Sequence, residues 1–289
     1  MKKFLKIFGI SLLAIILLGV GFISYVVYRA KYGLPFYDKT PPELAEQTAE
    51  TSILLFSKTN GFPHTEAIEA SIPVFTKMAA DNGWDLVETN NAAVFNADQL
   101  SRFDLVIWNN ATGKNLTDEQ RAAFKAYMED GGKFMGIHGA GDDSHQWDWY
   151  INTLIGAHFS HHGIGPQIQE GVINLECDSV NYSLCEPLPS SITRTDEWYV
   201  FLDNPRDAGF TVLYTLDEAD LNMAVNLPFG IGKDKNFGMG DDHPMVWYKD
   251  LPKGGRTFYY GMGHTGGTFG EADQVKILEQ GIKWAGKIE

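Results

Sequence analysis

Short apolar runs alternate with helical patterns in the first half of the chain. Four runs without a helical period predict buried strands: Ser52–Lys58, Trp84–Thr89, Phe103–Asn109 and Gly132–His138. Thr65–Ala80 instead has apolar residues at helical spacing, and Thr117–Asp130 opens with the capping box Thr117-x-x-Gln120. Strands that alternate with helices predict an α/β fold, a doubly wound and mostly parallel, flavodoxin-like sheet with helices on both faces.

The second half of the chain has a different pattern. Residues 168–260 contain several short β-like runs separated by Gly, Pro, Asn and Asp, and Glu271–Lys287 has the pattern of an amphipathic helix. The segment Phe229–Asp242, rich in Gly and Lys, predicts either a lid or a surface loop near the site. We find no internal repeat, so residues 51–289 are predicted to form one domain with added β segments.

The N-terminus carries the longest apolar run. The stretch from Ile7 to Tyr28 has no charged residue, and its 22 residues would span about 33 Å as a helix. A cleaved signal peptide is the alternative, but the run is long and no small-x-small cleavage site ends it. We predict a transmembrane anchor over residues 1–31, a Pro-containing linker over 32–50, and a domain outside the cytoplasm, because lysines precede the run.

The net charge excludes one class of partner. The chain has a formal charge of −14 at pH 7, with 37 acidic against 23 basic residues, and five of the basic ones lie in residues 1–31. Such an acidic domain repels nucleic acid and anionic lipid headgroups. Contact with the membrane is therefore expected only through the N-terminal helix.

The chain has two cysteines, Cys177 and Cys185. In an oxidising compartment they can close a small disulfide loop, and in a reducing one they stay as thiols. Neither lies in a Gly-rich turn between a strand and a helix, so a catalytic thiol is not indicated.

Three histidines follow predicted strands. His138 ends the run Gly132–His138 and precedes Gly139-Ala140-Gly141, the turn at which hydrolases and glutamine amidotransferases hold a nucleophile. His264 ends the apolar run from Phe258 and precedes glycines, and His64 follows the first strand. Ligands bind beyond the carboxyl ends of parallel strands, so we expect the three imidazoles to share one crevice.

Convergent histidines beside a carboxylate admit two chemistries. Imidazole transfers protons near neutral pH, which indicates acid/base work on a substrate carbonyl or hydroxyl. No His-x-His, HExxH or CxxC spacing indicates a metal, so no cofactor is predicted. The alternative is a divalent metal ion held by the histidines and a carboxylate.

Aromatic and acidic residues surround these positions in the sequence. Aromatic rings beside carboxylates suit a small-molecule carbohydrate, because the rings stack on its C–H faces and the carboxylates bind its hydroxyls. The predicted substrate-binding residues are Asn60, His64, Asp142, Trp147, Trp149, Asp196 and Trp198. The alternative for Trp147 and Tyr150, three residues apart on a predicted helix, is that they are core residues.

Eight stretches resemble the trehalose-utilization, ThuA-like family, in family order. They are KTNGFPHTEAI from Lys58, DLVIW from Asp104, GKFMGIHGA from Gly132, WDWYINTLIGAHF from Trp147, TDEWY from Thr195, VLYTLDE from Val212, HPMVW from His243 and GRTFYYGMGH from Gly255. The resemblance implies a class I glutamine amidotransferase-like sandwich that lacks the catalytic cysteine. It also implies a role with disaccharides or their keto derivatives, and His64, His138, Glu197 and His264 match the polar positions that recur in the family.

Three functional hypotheses follow. The first is an enzyme that moves protons on a sugar, as an isomerase, lyase or hydrolase of a keto-glycoside, with His138, His264 and Glu197 as the catalytic groups. The second is a non-catalytic sugar-binding module tethered to the membrane. The third is a metal-dependent glycoside hydrolase or lyase, with the metal ion held by His64, His138, His264 and Glu197. Glutamine amidotransfer is excluded by the absence of a cysteine at the turn.

Overall fold

A computed structural model describes residues 2–177 and 182–288, so Met1 and Glu289, the outer ends of the predicted anchor and domain, lie outside it. The N-terminal helix α1 covers Lys2–Tyr32. Within it, Lys6–Arg29 is long and apolar enough to cross a membrane, as either an anchor or a signal sequence. None of that window is buried against the rest of the protein.

The first half of the domain alternates strands and helices as the pattern predicts. Its elements are β1 Ser52–Phe56, α2 Thr65–Asn82, β2 Asp85–Thr89, α3 Ala97–Leu100, β3 Leu105–Asn109, α4 Asp118–Glu129, β4 Lys133–Ile137 and α5 Asp148–Tyr150. The predicted capping box starts α4: Thr117 accepts a hydrogen bond from the Gln120 N–H, and the Gln120 side chain accepts one from the Thr117 N–H. One-turn 3-10 segments cover Ala92–Val94 and His138–Gly141.

The second half supplies mainly strands. Its elements are β5 Phe159–His162, β6 Ile168–Leu175, α6 Tyr182–Cys185, β7 Ser191–Glu197, β8 Tyr199–Phe201, β9 Thr211–Asp217, β10 Pro244–Asp250, β11 Arg256–Tyr260 and α7 Ala272–Gly286. A π turn at Ile151–Ile155 and 3-10 turns at Pro228–Gly230, Pro252–Gly254 and Gly266–Gly270 complete it. Cys177 and Cys185 form a disulfide.

The strands form a nine-stranded mixed sheet in the order β2-β1-β3-β4-β11-β10-β9-β6-β7. The strands from β2 to β11 in this order pair in parallel, and those from β11 to β7 pair antiparallel. This confirms the doubly wound core with added β segments. We call the edge at which the parallel strands end the carboxyl edge, and β7 also ends there because it runs in their direction.

Alternating side chains of the central strands serve two cores. Ile53 and Leu55 face the helices α2 and α7, whereas Leu54 and Phe56 face α3 and α4. The antiparallel strands fold back over the first of these layers, since Arg194 of β7 hydrogen-bonds the hydroxyl of Tyr260 on β11. This return brings the end of β7 beside the ends of β4 and β11. β5 and β8 pair separately as a small antiparallel sheet.

The predicted linker packs against the domain. Residues 33–49, which we call the strap, run over the domain from the carboxyl edge to the start of β2. Asp38 accepts hydrogen bonds from Lys58 Nζ at 2.5 Å and from the Ala92 N–H at 2.8 Å. At the far end Asp85 accepts hydrogen bonds from the Thr48 and Ala49 N–H groups. The prolines and small polar residues predict an irregular segment. They do not predict its contacts with the domain, because those involve side chains that are distant in the sequence.

Candidate active site at the carboxyl edge

His138 lies at a sharp turn directly after β4. It is fully buried and has a φ of 43°, a left-handed conformation that is unfavourable for a residue with a side chain. The next residue must be glycine, because a Cβ on Gly139 would lie 2.9 Å from His64 Cε1. The Gly139 N–H donates to Asn110 Oδ1 at 3.2 Å, so the end of β3 supports the turn. Tight packing therefore holds the imidazole in a strained but defined position.

Asp196 on β7 positions the loop that carries His264. Its carboxylate is fully buried and accepts hydrogen bonds from the N–H groups of Gly263 at 2.7 Å and His264 at 3.0 Å. It also accepts one from the N–H of Glu197 at 2.9 Å. One carboxylate therefore fixes two of the predicted catalytic residues relative to each other.

His138, His264 and Glu197 meet in a triangle of polar atoms. His138 Nε2 lies 3.1 Å from His264 Nδ1 and 3.2 Å from Glu197 Oε2. The third side, from His264 Nδ1 to Glu197 Oε2, is 3.1 Å. His138 Nδ1 lies 3.0 Å from the carbonyl oxygen of Gly261. A carbonyl only accepts, so Nδ1 carries a hydrogen and Nε2 of a neutral His138 would present its lone pair to the Glu197 carboxylate.

His64 completes the group from the start of α2. Its ring centroid lies 5.0 Å from those of both His138 and His264, in edge-to-face arrangements. His64 Nδ1 is buried and has no hydrogen-bond partner in the protein. A buried nitrogen without a partner is costly, so this atom is available for a ligand.

Burial and mutual charge set the protonation of these groups. Burial, together with the neighbouring His138 and His264, lowers the pKa of His64 well below its usual value. Burial opposes ionisation of Glu197, but its contacts with His138 and His264 outweigh this effect and hold the pKa of the carboxyl well below its usual range. Burial also lowers the pKa of His264, yet its hydrogen bond to Glu197 gives a net rise. The site thus combines an ionised carboxylate with one imidazole that favours its proton and one that does not.

The donor set also fits a divalent metal ion. The nearest ligand atoms of His64, His138, Glu197 and His264 all lie within 4.8 Å of one another. A tetrahedral zinc centre with bonds of about 2.0–2.1 Å places its ligand atoms roughly 3.3–3.4 Å apart, close to the three sides of the triangle. The hydrogen bond to the Gly261 carbonyl would orient His138 as such bonds orient metal-bound histidines.

Two of the predicted substrate-binding residues lie in the layer beside α4, apart from the histidines. Trp147 stacks with the guanidinium of Arg121, and Trp149 lies beside the ammonium of Lys125. Tyr150 is fully buried and stacks against Trp108, which agrees with the alternative prediction that it is a core residue.

Three others have mainly structural contacts. Trp198 is buried in the first core, where its Nε1 donates to the Gln169 carbonyl at 3.0 Å. The side-chain amide of Asn60 donates to the carbonyls of Phe36 and Lys114, so it holds the strap to the loop after β1. Asp196 is fully buried with its N–H donors, as described above.

Asp142 follows the His138 turn. Its carboxyl group accepts hydrogen bonds from the Ser144 N–H and hydroxyl. Although the residue is partly exposed, protein encloses the carboxyl group, and burial raises its pKa to about 7. This carboxyl can therefore exchange a proton near neutral pH.

The structure adds residues that sequence reasoning missed. His162 Nδ1 lies 3.4 Å from Glu197 Oε1, and the amide of Gln167 donates to the same oxygen. The Tyr199 ring lies 4.1 Å from the His138 ring and covers it. Of these residues, Asn110 is the one that the sequence could have indicated. The polar pair Asn109-Asn110 directly follows the apolar run of β3, and both residues are buried.

Known proteins share this fold. The sequence profile of the ThuA family, described as trehalose utilisation, matches residues 52–285. The crystal structure of a ThuA-like protein from Bacteroides uniformis superposes with a TM-score of 0.67 at 23% identity, over 86% of this chain and 95% of that one. A ThuA-like protein from Parabacteroides merdae gives 0.57 at 19% identity, over 82% and 90%. A comparison with curated proteins finds no match.

Proposed function

This chain belongs to the ThuA family, and on that premise we propose that its domain acts on a disaccharide or a keto derivative of one by histidine-centred acid/base chemistry. The observation that carries the proposal is the triangle of His138, His264 and Glu197, with sides of 3.1–3.2 Å. Groups at this spacing can pass a proton among themselves without moving.

Each member of the triangle has a distinct role. His138 is the acid or base, since its Nδ1–H is committed to the Gly261 carbonyl and only Nε2 is free to exchange a proton. His264 is the more exposed imidazole and the one whose pKa is raised, so it carries the proton toward the sugar. Glu197 stays ionised and stabilises whichever imidazole is charged.

The same residues support a second candidate, a metal-dependent hydrolase or lyase. The specific observation is His64 Nδ1, a buried nitrogen without a partner, on a ring whose centroid lies 5.0 Å from those of His138 and His264. A cation among the four residues would also relieve the repulsion between the His138 lone pair and the Glu197 carboxylate. Such an ion would polarise a sugar carbonyl or hydroxyl. His64, His138, His264 and Glu197 would hold it, while Asp196 keeps the loop of His264 in place.

We further propose that the domain lies outside the cytoplasm, anchored by α1. The apolar window Lys6–Arg29 and the Cys177–Cys185 disulfide support this location, because disulfides persist in oxidising compartments. Protease digestion of intact spheroplasts tests it: an external domain is degraded without lysis, and a protected one contradicts the proposal.

The function is tested by turnover of the full chain in detergent against disaccharides and their 3-keto forms, with and without a chelator. His138→Ala is expected to lower kcat by about 10²–10⁴-fold. His158→Ala is the matched control, because His158 is an exposed histidine paired with Asp203. Sugar binding without turnover, unchanged in His138→Ala, would contradict catalysis and leave a sugar-binding module. Loss of turnover with chelator, and its return with zinc, would select the metal-dependent alternative.

A further inference from the structure

The end of the apolar helix is packed against the loop that carries His64. Gly33 closes α1: its N–H donates to the Arg29 carbonyl, and its φ of 68° is left-handed. Gly33 is buried, and a Cβ at this position would lie 1.4 Å from the carbonyl oxygen of Asn60. Since only glycine fits there, the helix end and the loop after β1 are in direct backbone contact.

The strap keeps that contact in place. The Asn60 side chain donates to the Phe36 carbonyl at 3.1 Å, and Lys58 binds Asp38 at 2.5 Å. The Lys58 ammonium also lies 5.0 Å from the Phe36 ring. The domain is therefore held below the helix in one orientation, with its carboxyl edge next to the point where the helix ends.

Exposed apolar side chains gather at the same edge. They lie in the first strap residues, in the loop after β1, at the start of β6 and in the segment between β9 and β10: Leu34, Phe36, Tyr37, Phe62, Ile168, Leu227, Phe229, Ile231 and Phe237. Within residues 33–177 and 182–288, the remaining large apolar side chains with comparable exposure are Tyr182 and Leu202. An apolar, aromatic-rich edge next to the end of a membrane-length helix is typical of a surface that meets the lipid interface.

The apolar edge reaches the candidate site. The Phe62 ring lies 5.1 Å from the His64 ring and 6.3 Å from the His264 ring, and Phe62 itself is exposed. The apolar edge and the histidines are therefore adjacent at Phe62.

We propose that the carboxyl edge lies on the bilayer surface and that the sugar taken by the site is the headgroup of a membrane-embedded glycolipid. The acidic charge of the domain repels anionic lipids and so favours an uncharged headgroup. Charge alone led us to expect membrane contact only through the N-terminal helix, and the apolar edge adds a second contact that does not depend on charge. This inference rests on the proposed function for the chemistry of the site and adds the class of substrate.

The orientation is tested with the full chain in phosphatidylcholine nanodiscs that contain a lipid-attached spin-label quencher. Fluorophores are placed at Phe62→Cys and Phe229→Cys, and at Asp130→Cys as a control on the opposite edge, after α4. We expect quenching of the first two labels by at least twofold relative to the third. Equal quenching at all three positions, or stronger quenching at Asp130, overturns the proposal.

The substrate class is tested in the same nanodiscs. A disaccharide carried by a dialkylglycerol is compared with the methyl glycoside of the same disaccharide in solution. We expect kcat/KM for the lipid-linked sugar to be at least tenfold higher, and Phe229→Ser with Ile231→Ser, two exposed residues that do not touch the histidines, to remove this preference without changing turnover of the methyl glycoside. Equal rates on both sugars, lost in His138→Ala, would overturn this inference and leave the proposed function intact. Rates that persist in His138→Ala would instead contradict the proposed function.

Discussion

The buried Asp196 carboxylate accepts a hydrogen bond from the His264 backbone N–H at 3.0 Å, which ties the end of β7 to the loop after β11. Strands β7 and β11 are not neighbours in the sheet, so this contact, with those of Asp196 to Gly263 and of Arg194 to Tyr260, joins them across the site. Asp196 acts by holding His264 and Glu197 in place.

Replacement of this carboxylate by an amide is expected to cost both stability and activity. In Asp196→Asn an NH₂ group faces a backbone N–H, which leaves a buried donor unsatisfied and lowers the free energy of unfolding by about 1–3 kcal/mol. Urea unfolding followed by tryptophan fluorescence measures this. Asp203→Asn, at an exposed carboxyl, is the control and should stay within about 0.5 kcal/mol of the wild type. An equal loss in both variants would contradict the role given to Asp196.

Metal content distinguishes the two candidate chemistries. If the metal-dependent alternative holds, the full chain purified without chelator contains about one divalent ion per chain by mass spectrometry, and His64→Ala weakens zinc binding at least tenfold because one ligand is lost. His158→Ala should bind zinc as the wild type does. Turnover by a metal-free chain would reject this alternative and favour proton transfer by imidazole alone.

The stability of the domain is expected to fall in mild acid, in part through His145. Burial lowers the pKa of His145 to about 4, below the usual value of 6.5. As the pH falls from 6.5 to 4 the unfolded chain binds a proton that the folded chain does not, so stability present above pH 6.5 is lost across this window. The loss from this residue is on the order of 3 kcal/mol and levels off below pH 4.

His145→Asn separates this effect from other titrations. The asparagine amide can donate to the Gly113 carbonyl as His145 Nδ1 does, but it does not titrate. We expect a flatter plot of unfolding free energy against pH between 6.5 and 4. An unchanged slope would contradict the assignment to His145.

The disulfide is expected to stabilise the connection between β6 and β7. Its cysteines are separated by eight positions, and closure of so short a loop is worth about 2–3 kcal/mol in the unfolded chain. Cys177→Ser with Cys185→Ser should lower the unfolding free energy by that amount and leave sugar turnover unchanged. A reducing agent should do the same to the wild type and nothing to the double variant.

The convergence of His64, His138 and His264 could be predicted from the sequence because topology alone brings parallel strand ends together. Glu197 belongs to an antiparallel strand at the far end of the sheet order, and its place in the site depends on the fold-back of β7. The resemblance to a family indicated it, whereas periodicity did not.

Other contacts of the site depend on loops that periodicity does not describe. His161 and His162 are adjacent in the sequence, and consecutive side chains diverge, so the sequence does not indicate that they act as a pair. Strand pairing turns His162 toward Glu197 and His161 toward the Met223 carbonyl. The contact between Gly33 and Asn60 could not be predicted from the sequence for the same reason, because both residues lie in irregular segments. Trp147 and Trp149 follow their local helix toward α4, and their role with a sugar remains a prediction.

The strap has a mechanical consequence. Hydrogen bonds attach it to the domain at successive points along its length, which include Phe36, Asp38, Pro42 and Thr48 in order from the membrane side. Tension applied through α1 would act on these hydrogen bonds one after another before it reached the core of the sheet. The first to break lies at Asn60, four residues from His64. A pull on the anchor would therefore reach the loop that carries His64 before it reached the strands of the core.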